Sequence, residues 1–308
     1  DVWGQDLKTD DSDTEYDAYP VLGGPKVYAS SPCKGQCSNE PIEGNVAHSF
    51  NDGICSFCGA YASVQANENG IYEIHNAGEL YSFAELVNSG NSDVNGKLVS
   101  DITVNEEVLN WAGNFVPSET VFMVWTPIGN ETVKYTGEFD GNGKTISGLY
   151  FNSSDEQNKN TYNIGLFGCV DNAKIYGITI KDSYFMGYEN IGGIVGQATN
   201  SEIAGCVNQS AIRCGNQNAG GIAGNTSLTT VSDCRNNGII TGKSTVGGIV
   251  GKIIGESENV TAIENCSNSR AIGDGEITSY AGGIVGSNEC VTTVVRYCNN
   301  TASVYGSD

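Results

Sequence analysis

Two periodicities divide the chain. Between Asn76 and Gly90 the apolar residues Leu80, Phe83, Ala84 and Val87 recur at the three- and four-residue spacing that gathers them on one helical face. Asn76 can accept from the first-turn N–H groups, Glu79 can reach back to complete a capping box, and Gly90 ends the pattern. One amphipathic helix of about four turns is predicted over 76–90. After it no helical period returns, and short β-rich runs alternate with Gly and Asn.

From Gly165 the strand-and-turn region repeats itself. G-L-F-G at Gly165–Gly168 is followed by G-G-I-V-G at Gly192–Gly196, G-G-I-A-G at Gly220–Gly224, and G-G-I-V-G at Gly247–Gly251 and Gly282–Gly286. Gly193, Gly221 and Gly248 are 28 and then 27 residues apart, and the step to Gly283 is longer through an insertion around Glu256 to Val260. A second series runs in phase: Cys206 with Asn208, Cys234 with Asn236, Cys266 with Asn268, and Cys298 with Asn300. A unit of this length cannot bury its own apolar face and must stack on its neighbours. The fold expected is mainly β, a right-handed parallel β-helix, with the helix as its N-terminal cap. The same residue type should recur at each corner, and Asn should hydrogen-bond along the stack. The repeated glycines are read as corner residues with special backbone angles. No phosphate loop is indicated, since none precedes Lys and Ser or Thr.

Three regions follow: 1–30 an extended tail or linker, 31–66 a small knuckle, and 67–308 the β-helix. In the first, Tyr19, Pro20, Val21 and Leu22 lead into Gly23 and Gly24, extended structure ending in a turn, with Pro20 arguing against a central strand. The second holds Cys33, Cys37, His48, Cys55 and Cys58 among Ser, Asn, Gly and Pro. So short a segment needs a staple in place of a core. A C-x-x-C pair with Gly59 after it suits a structural zinc ion, and two disulfides are the alternative in an exported chain.

Composition sharpens this picture. The chain has 308 residues, with 41 Gly against 6 Pro, 39% hydrophobic and 17% charged, which fits many short strands joined by turns. Its formal charge of -21 repels nucleic acid and anionic lipid, and no basic patch offsets it. No apolar run approaches the roughly 20 residues that span a bilayer. Because the chain opens on Asp1, it is expected to be a mature or excised piece of a longer exported protein.

Other candidates reduce to structural roles. One Cys per coil predicts stacked, reduced, inert thiols, because strands about 4.8 Å apart meet disulfide geometry only awkwardly. Cys169, Cys214 and Cys290 fall outside that register. Asp140-Gly141-Asn142-Gly143 has the oxygen spacing of a calcium loop but carries Phe151 where the bidentate Glu belongs. A β-turn is expected there and calcium is not. Trp111, Trp125, Tyr135, Tyr150, Phe151, Tyr162, Tyr184, Phe185 and Tyr188 could form a sugar-stacking platform, but the expectation is that they pack the helix and first coil.

These repeats resemble the GLUG-type repeats of bacterial surface proteins over roughly the last two-thirds of the chain. W-T-P-I-G at Trp125–Gly129 and F-D-G-N-G-K-T-I-S-G-L at Phe139–Leu149 are similar to that family's lead-in coil. W-G-Q at Trp3 to Y-P-V-L-G-G ending at Gly24, and H-S-F-N-D-G-I-C-S-F-C-G at His48–Gly59, resemble segments of gut-associated surface proteins. The resemblance implies a right-handed β-helix at the cell surface or secreted, and a zinc knuckle with Cys33, His48, Cys55 and Cys58 as ligands and Cys37 as substitute. GLUG repeats also accompany immunoglobulin-A-cleaving metallopeptidases, but this chain has no H-E-x-x-H.

The expected function is a non-catalytic extracellular adhesin that recognises a host or microbial glycan or glycoprotein, mucin or immunoglobulin. A polysaccharide lyase or hydrolase is the enzymatic alternative, and Glu202, Asp233 and Glu264 occupy comparable places before the Cys series. No consistently placed basic residue stands beside them, and the two histidines, His48 and His75, support no Ser-His or Cys-His arrangement. A structural stalk is the third reading.

Overall fold

A computed structural model describes residues 3–4, 21–22, 50–55, 59–117, 121–153, 161–255, 260–273 and 279–306. The chain divides into two units, Asp1–Ala62 and Ser63–Asp308. In the first, Trp3–Gly4 pairs antiparallel with Val21–Leu22, and Phe50–Asn51 pairs with Ile54–Cys55. Asp52 and Gly53 turn that hairpin with φ of 49° and 75°, the paired left-handed values that match strand twist. Cys55 is buried against Ala60.

The second unit is a parallel β-solenoid of about eight turns. One sheet stacks Ile71–Ile74, Asn95–Leu98, Glu138–Asp140, Lys174–Tyr176, Glu202–Ala204, Thr230–Ser232, Thr261–Glu264 and Thr293–Arg296, with Gln65–Ala66 antiparallel at its N-terminal edge. A second runs from Ile102–Thr103 through Thr145–Ser147, Thr179–Gly187 and Val207–Cys214 to Asn299–Asn300. Two five-stranded sheets begin at Tyr162–Ile164 and Phe167–Asp171, where the glycine repeat begins.

Register explains the sequence period. Phe139, Ile175, Ile203, Val231, Ile263 and Val295 stand above one another in the first sheet. In the second, Ile102, Ile146 and Ile180 give way to Asn208, Asn236, Asn268 and Asn300. Those asparagines bond head to tail at 2.7, 2.8 and 2.7 Å. Both kinds of ladder satisfy the same need: an apolar row removes area from water, and a polar row survives burial because each amide finds a partner.

The glycines of G-G-I-V-G serve a different purpose from the one expected. None of Gly193, Gly221, Gly248 and Gly283 has a left-handed φ. Instead a Cβ on Gly193 would lie 2.5 Å from Asn208 Oδ1, one on Gly221 2.6 Å from Asn236 Cγ, one on Gly248 2.8 Å from Asn268 Cγ, and one on Gly283 2.5 Å from Asn300 Cγ. The two in-phase series therefore face each other across the coil, and glycine makes room for the asparagine. Left-handed corners lie elsewhere, one of them at Gly177, Gly205, Asp233, Asn265 and Tyr297.

The helix spans Ala77–Asn88, about three turns where about four were predicted. Ser89 and Gly90 close it by donating to Glu85 and Val87 carbonyls, and Gly90 leaves at φ 118°. Asn76 Oδ1 accepts from Glu79 N–H at 2.9 Å. The Glu79 carboxylate reaches back to the His75 N–H at 2.7 Å, one residue before the cap. Phe83 stacks edge-on against Phe139 and Tyr135, with centroids 5.6 and 6.3 Å away. The helix thus plugs the core of the early coils, where the two five-stranded sheets have not begun.

Candidate functional site

The nine aromatic residues of interest separate into four environments. Trp125, Tyr135 and Phe185 are fully buried. Trp125 donates its indole N–H to Gly165 O at 3.0 Å and packs on Tyr81 at 5.1 Å, so it joins helix to solenoid as expected. Burial also pushes the Tyr135 hydroxyl pKa well up. A second group lies on an outer face, where Phe115 stacks on Tyr184 at 4.4 Å and on Tyr150 at 5.7 Å beneath Phe122. Sequence reasoning missed Phe115 and Phe122, which sit outside any repeat. Trp111, by contrast, is 99% exposed and packs nothing, contrary to the expected cap.

Phe151 and Tyr162 line a groove of about 520 Å³, within the range of ligand sites. Val124, Trp125, Pro127, Phe151, Tyr162 and Ile164 give it apolar walls, and Asn130, Glu131 and Thr132 form a polar end. Tyr162 in turn lies 5.2 Å from Tyr188. The helix fixes the polar end through its last residue: Asn88 donates to Pro127 O at 3.0 Å and accepts from Gly129 N–H at 2.9 Å. Asn130 Oδ1 then gathers the N–H groups of Thr132 and Val133, both at 2.9 Å, a side-chain turn that presents Glu131. Asn163 Nδ2 donates to Glu131 Oε1 at 3.2 Å.

The other sequence candidates are placed as follows. Asn142 and Gly143 have φ of 51° and 69°, and Lys144 N–H closes the turn on Gly141 O at 2.8 Å, so the predicted Asn-Gly β-turn forms over Gly141–Lys144. The Asp140 carboxylate accepts from Asn142 N–H at 2.7 Å and pairs with Lys97 at 3.1 Å. Glu202, Asp233 and Glu264 do not share a register. Glu202 stands beside Thr230, Glu264 beside Ser232, and Asp233 lies in the corner, accepting from Asn265. Glu264 is tied to Arg296 at 2.8 Å.

The thiols of Cys206, Cys234, Cys266 and Cys298 occupy successive coils and donate to the carbonyls two residues before them, at 3.4, 3.1, 3.2 and 3.3 Å. Burial and the neighbouring sulfurs push the Cys234 thiol pKa well up. Cys169 and Cys214, outside this row, are buried on the strands Phe167–Asp171 and Val207–Cys214, and desolvation raises both to about 12. Of the knuckle residues, Cys55 is described, on its hairpin. Cys33, Cys37, His48 and Cys58 lie outside the described residues.

No family model matches the chain, and no curated protein does. Among solved structures, a crystal structure of a putative immunoglobulin A1 protease from Bacteroides ovatus aligns with a TM-score of 0.58 at 19% identity, covering 77% of this chain and 69% of that one. At this identity the likeness shows the shared fold.

Proposed function

We propose that this chain is a non-catalytic binding segment of a secreted or surface-attached bacterial protein of the GLUG-repeat kind, with the 520 Å³ groove as its ligand site. The carrying observation is the make-up of the groove. Aromatic and aliphatic walls converge on one polar end, and Glu131 is the single carboxylate among the described residues that line it. Cleavage of a glycosidic bond by the usual route needs two carboxyl groups facing each other, whereas recognition needs shape and a few oriented polar atoms. The partner class is a host or microbial glycan or glycoprotein. The name of the solved relative makes immunoglobulin A a specific member of that class to include.

The test is a binding screen of the full chain against mucin glycans, plant polysaccharides and immunoglobulin A, with product release followed in the same wells. Saturable binding without product supports the reading. Sugar or peptide release overturns it in favour of an enzyme, and silence throughout favours a stalk. A structural zinc ion on Cys33, His48, Cys55 and Cys58, with Cys37 as substitute ligand, is proposed for the N-terminal unit. Chelation with EDTA should open 33–59 to protease, and unchanged resistance would exclude zinc there.

A further inference from the structure

Glu131 is the end of a longer row. Asn163 donates to it, Asn190 Nδ2 donates to Asn163 Oδ1 at 2.9 Å, and Asn218 Nδ2 donates to Asn190 Oδ1 at 2.8 Å. The three carboxamides lie in successive coils with exposures of 5%, 8% and 3%. Each sits on a left-handed residue, with φ of 56°, 58° and 70°, a conformation that asparagine tolerates better than most residues. A carboxylate only accepts, so Glu131 fixes the flip of Asn163, which fixes Asn190, which fixes Asn218. Every amide therefore points its donor toward the groove, and such chains polarise one another. At the far end Asn218 Oδ1 is buried without a hydrogen-bond partner. The row is satisfied at the groove and left open away from it.

We propose that Glu131 orients the ligand in the groove and that the ligand is a neutral pyranose, its apolar ring face against the Phe151 and Tyr162 side and its hydroxyls donating to the carboxylate. This rests on the binding reading above and adds the residue and the ligand class. A carboxylate offers about four lone-pair sites, of which Asn163 takes one on Oε1. Vicinal sugar hydroxyls are donors at the spacing that two carboxylate oxygens accept, and such charge-assisted bonds are about twice as strong as neutral ones. A fixed negative group on a chain of formal charge -21 repels uronates and sialylated ends. Asn163 is a positioning residue, acting through Glu131.

The test is calorimetric titration of the full chain with neutral hexose oligosaccharides and with matched uronate-containing ones, for wild type, Glu131→Gln, Asn163→Gly, Tyr162→Ala and Phe151→Ala. Glu131→Gln keeps an acceptor for Asn163; glycine accepts the left-handed backbone at 163 but takes the acceptor from Asn190 Nδ2, so thermal unfolding first establishes that each variant is folded at the titration temperature. Wild type should bind a neutral oligosaccharide and reject the acidic one. Glu131→Gln should weaken the neutral ligand about tenfold and narrow the neutral-over-acidic preference. Asn163→Gly should weaken binding while keeping that preference, because the charge remains. Equal binding by wild type and Glu131→Gln, or a preference for acidic sugars, overturns this inference and leaves the binding reading standing. If no oligosaccharide binds, the pyranose inference falls and the binding reading is decided by the mucin and immunoglobulin A arms of the screen; if an oligosaccharide binds and neither Tyr162→Ala nor Phe151→Ala weakens it, the groove is not the site and both fall together.

Discussion

Gly221 shows how closely the coils approach. A Cβ there would meet Gly248 O at 2.3 Å and Asn236 Cγ at 2.6 Å, neither of which is a flexible tip that could swing away. Gly221→Ala should therefore cost about 2–3 kcal/mol through overpacking, read as a fall in the denaturant midpoint with unchanged m. Asn236 has the opposite dependence, on what it keeps rather than what it excludes. It accepts from Asn208, donates to Asn268 and accepts from Gly238 N–H at 3.1 Å. Asn236→Ala should cost about 3 kcal/mol by orphaning buried partners, and Asn300→Ala, at the half-exposed end of the same row, less than half as much. The buried thiols set a pH limit. Cys169 and Cys214 have folded pKa values of about 12 against an ordinary 9.0, so above 9 the unfolded chain holds fewer of these protons than the folded one. Their contribution is complete below pH 9 and is lost between 9 and about 12. Urea midpoints measured across that window should fall, and Cys214→Ala should make the fall shallower.

At the scale of elements, the helix and the early coils depend on each other. Phe83 fills the space that Phe139 and Tyr135 leave open, and Gly96 is glycine because a Cβ there would lie 2.8 Å from both the Phe83 and the Phe139 rings. Phe83→Ala should cost about 3–5 kcal/mol, whereas Asn76→Ala, which removes one cap hydrogen bond, should cost about 1 kcal/mol. Equal losses in equilibrium denaturation would mean that the helix contributes by its own propensity and does not plug the core. The helix itself was legible from Leu80, Phe83, Ala84 and Val87. Its partner residues were not, because Gly96 and Phe139, on strands, and Tyr135, on an isolated bridge to Val170, take their places in space from stacking, not from distance along the chain.

For the whole molecule, the thiol row offers a view of how the solenoid opens. Cys206, Cys234 and Cys266 are buried while Cys298, in the last described coil, is half-exposed. Under native conditions iodoacetamide should label Cys298 first, and the other three only as the coils above them separate. Mass-spectrometric mapping checks the order. Simultaneous labelling of all four at low denaturant would point to one cooperative unfolding event, in place of the nearest-neighbour fraying expected of a stacked fold.

The sequence by itself determined the architecture. A period of about 28 residues carrying G-G-I-V-G and Cys-x-Asn is enough to require a stack, because each row of like residues is stable only beside its copies. It also determined the cap of the helix and the Asn-Gly turn at Gly141–Lys144, where the deciding hydrogen bonds are made within a few residues. Tertiary structure decided the rest. Which face glycine occupies, that Glu202, Asp233 and Glu264 fall out of register, and that Trp111 is bare while Phe115 is not, all depend on which coil lies beside which. The groove was the least legible feature. Glu131 carries no motif, and the only trace of the row that holds it is an Asn two residues before each glycine at Gly165, Gly192 and Gly220. That trace acquires a direction only when folding brings Asn163 to a carboxylate 32 residues earlier in the chain.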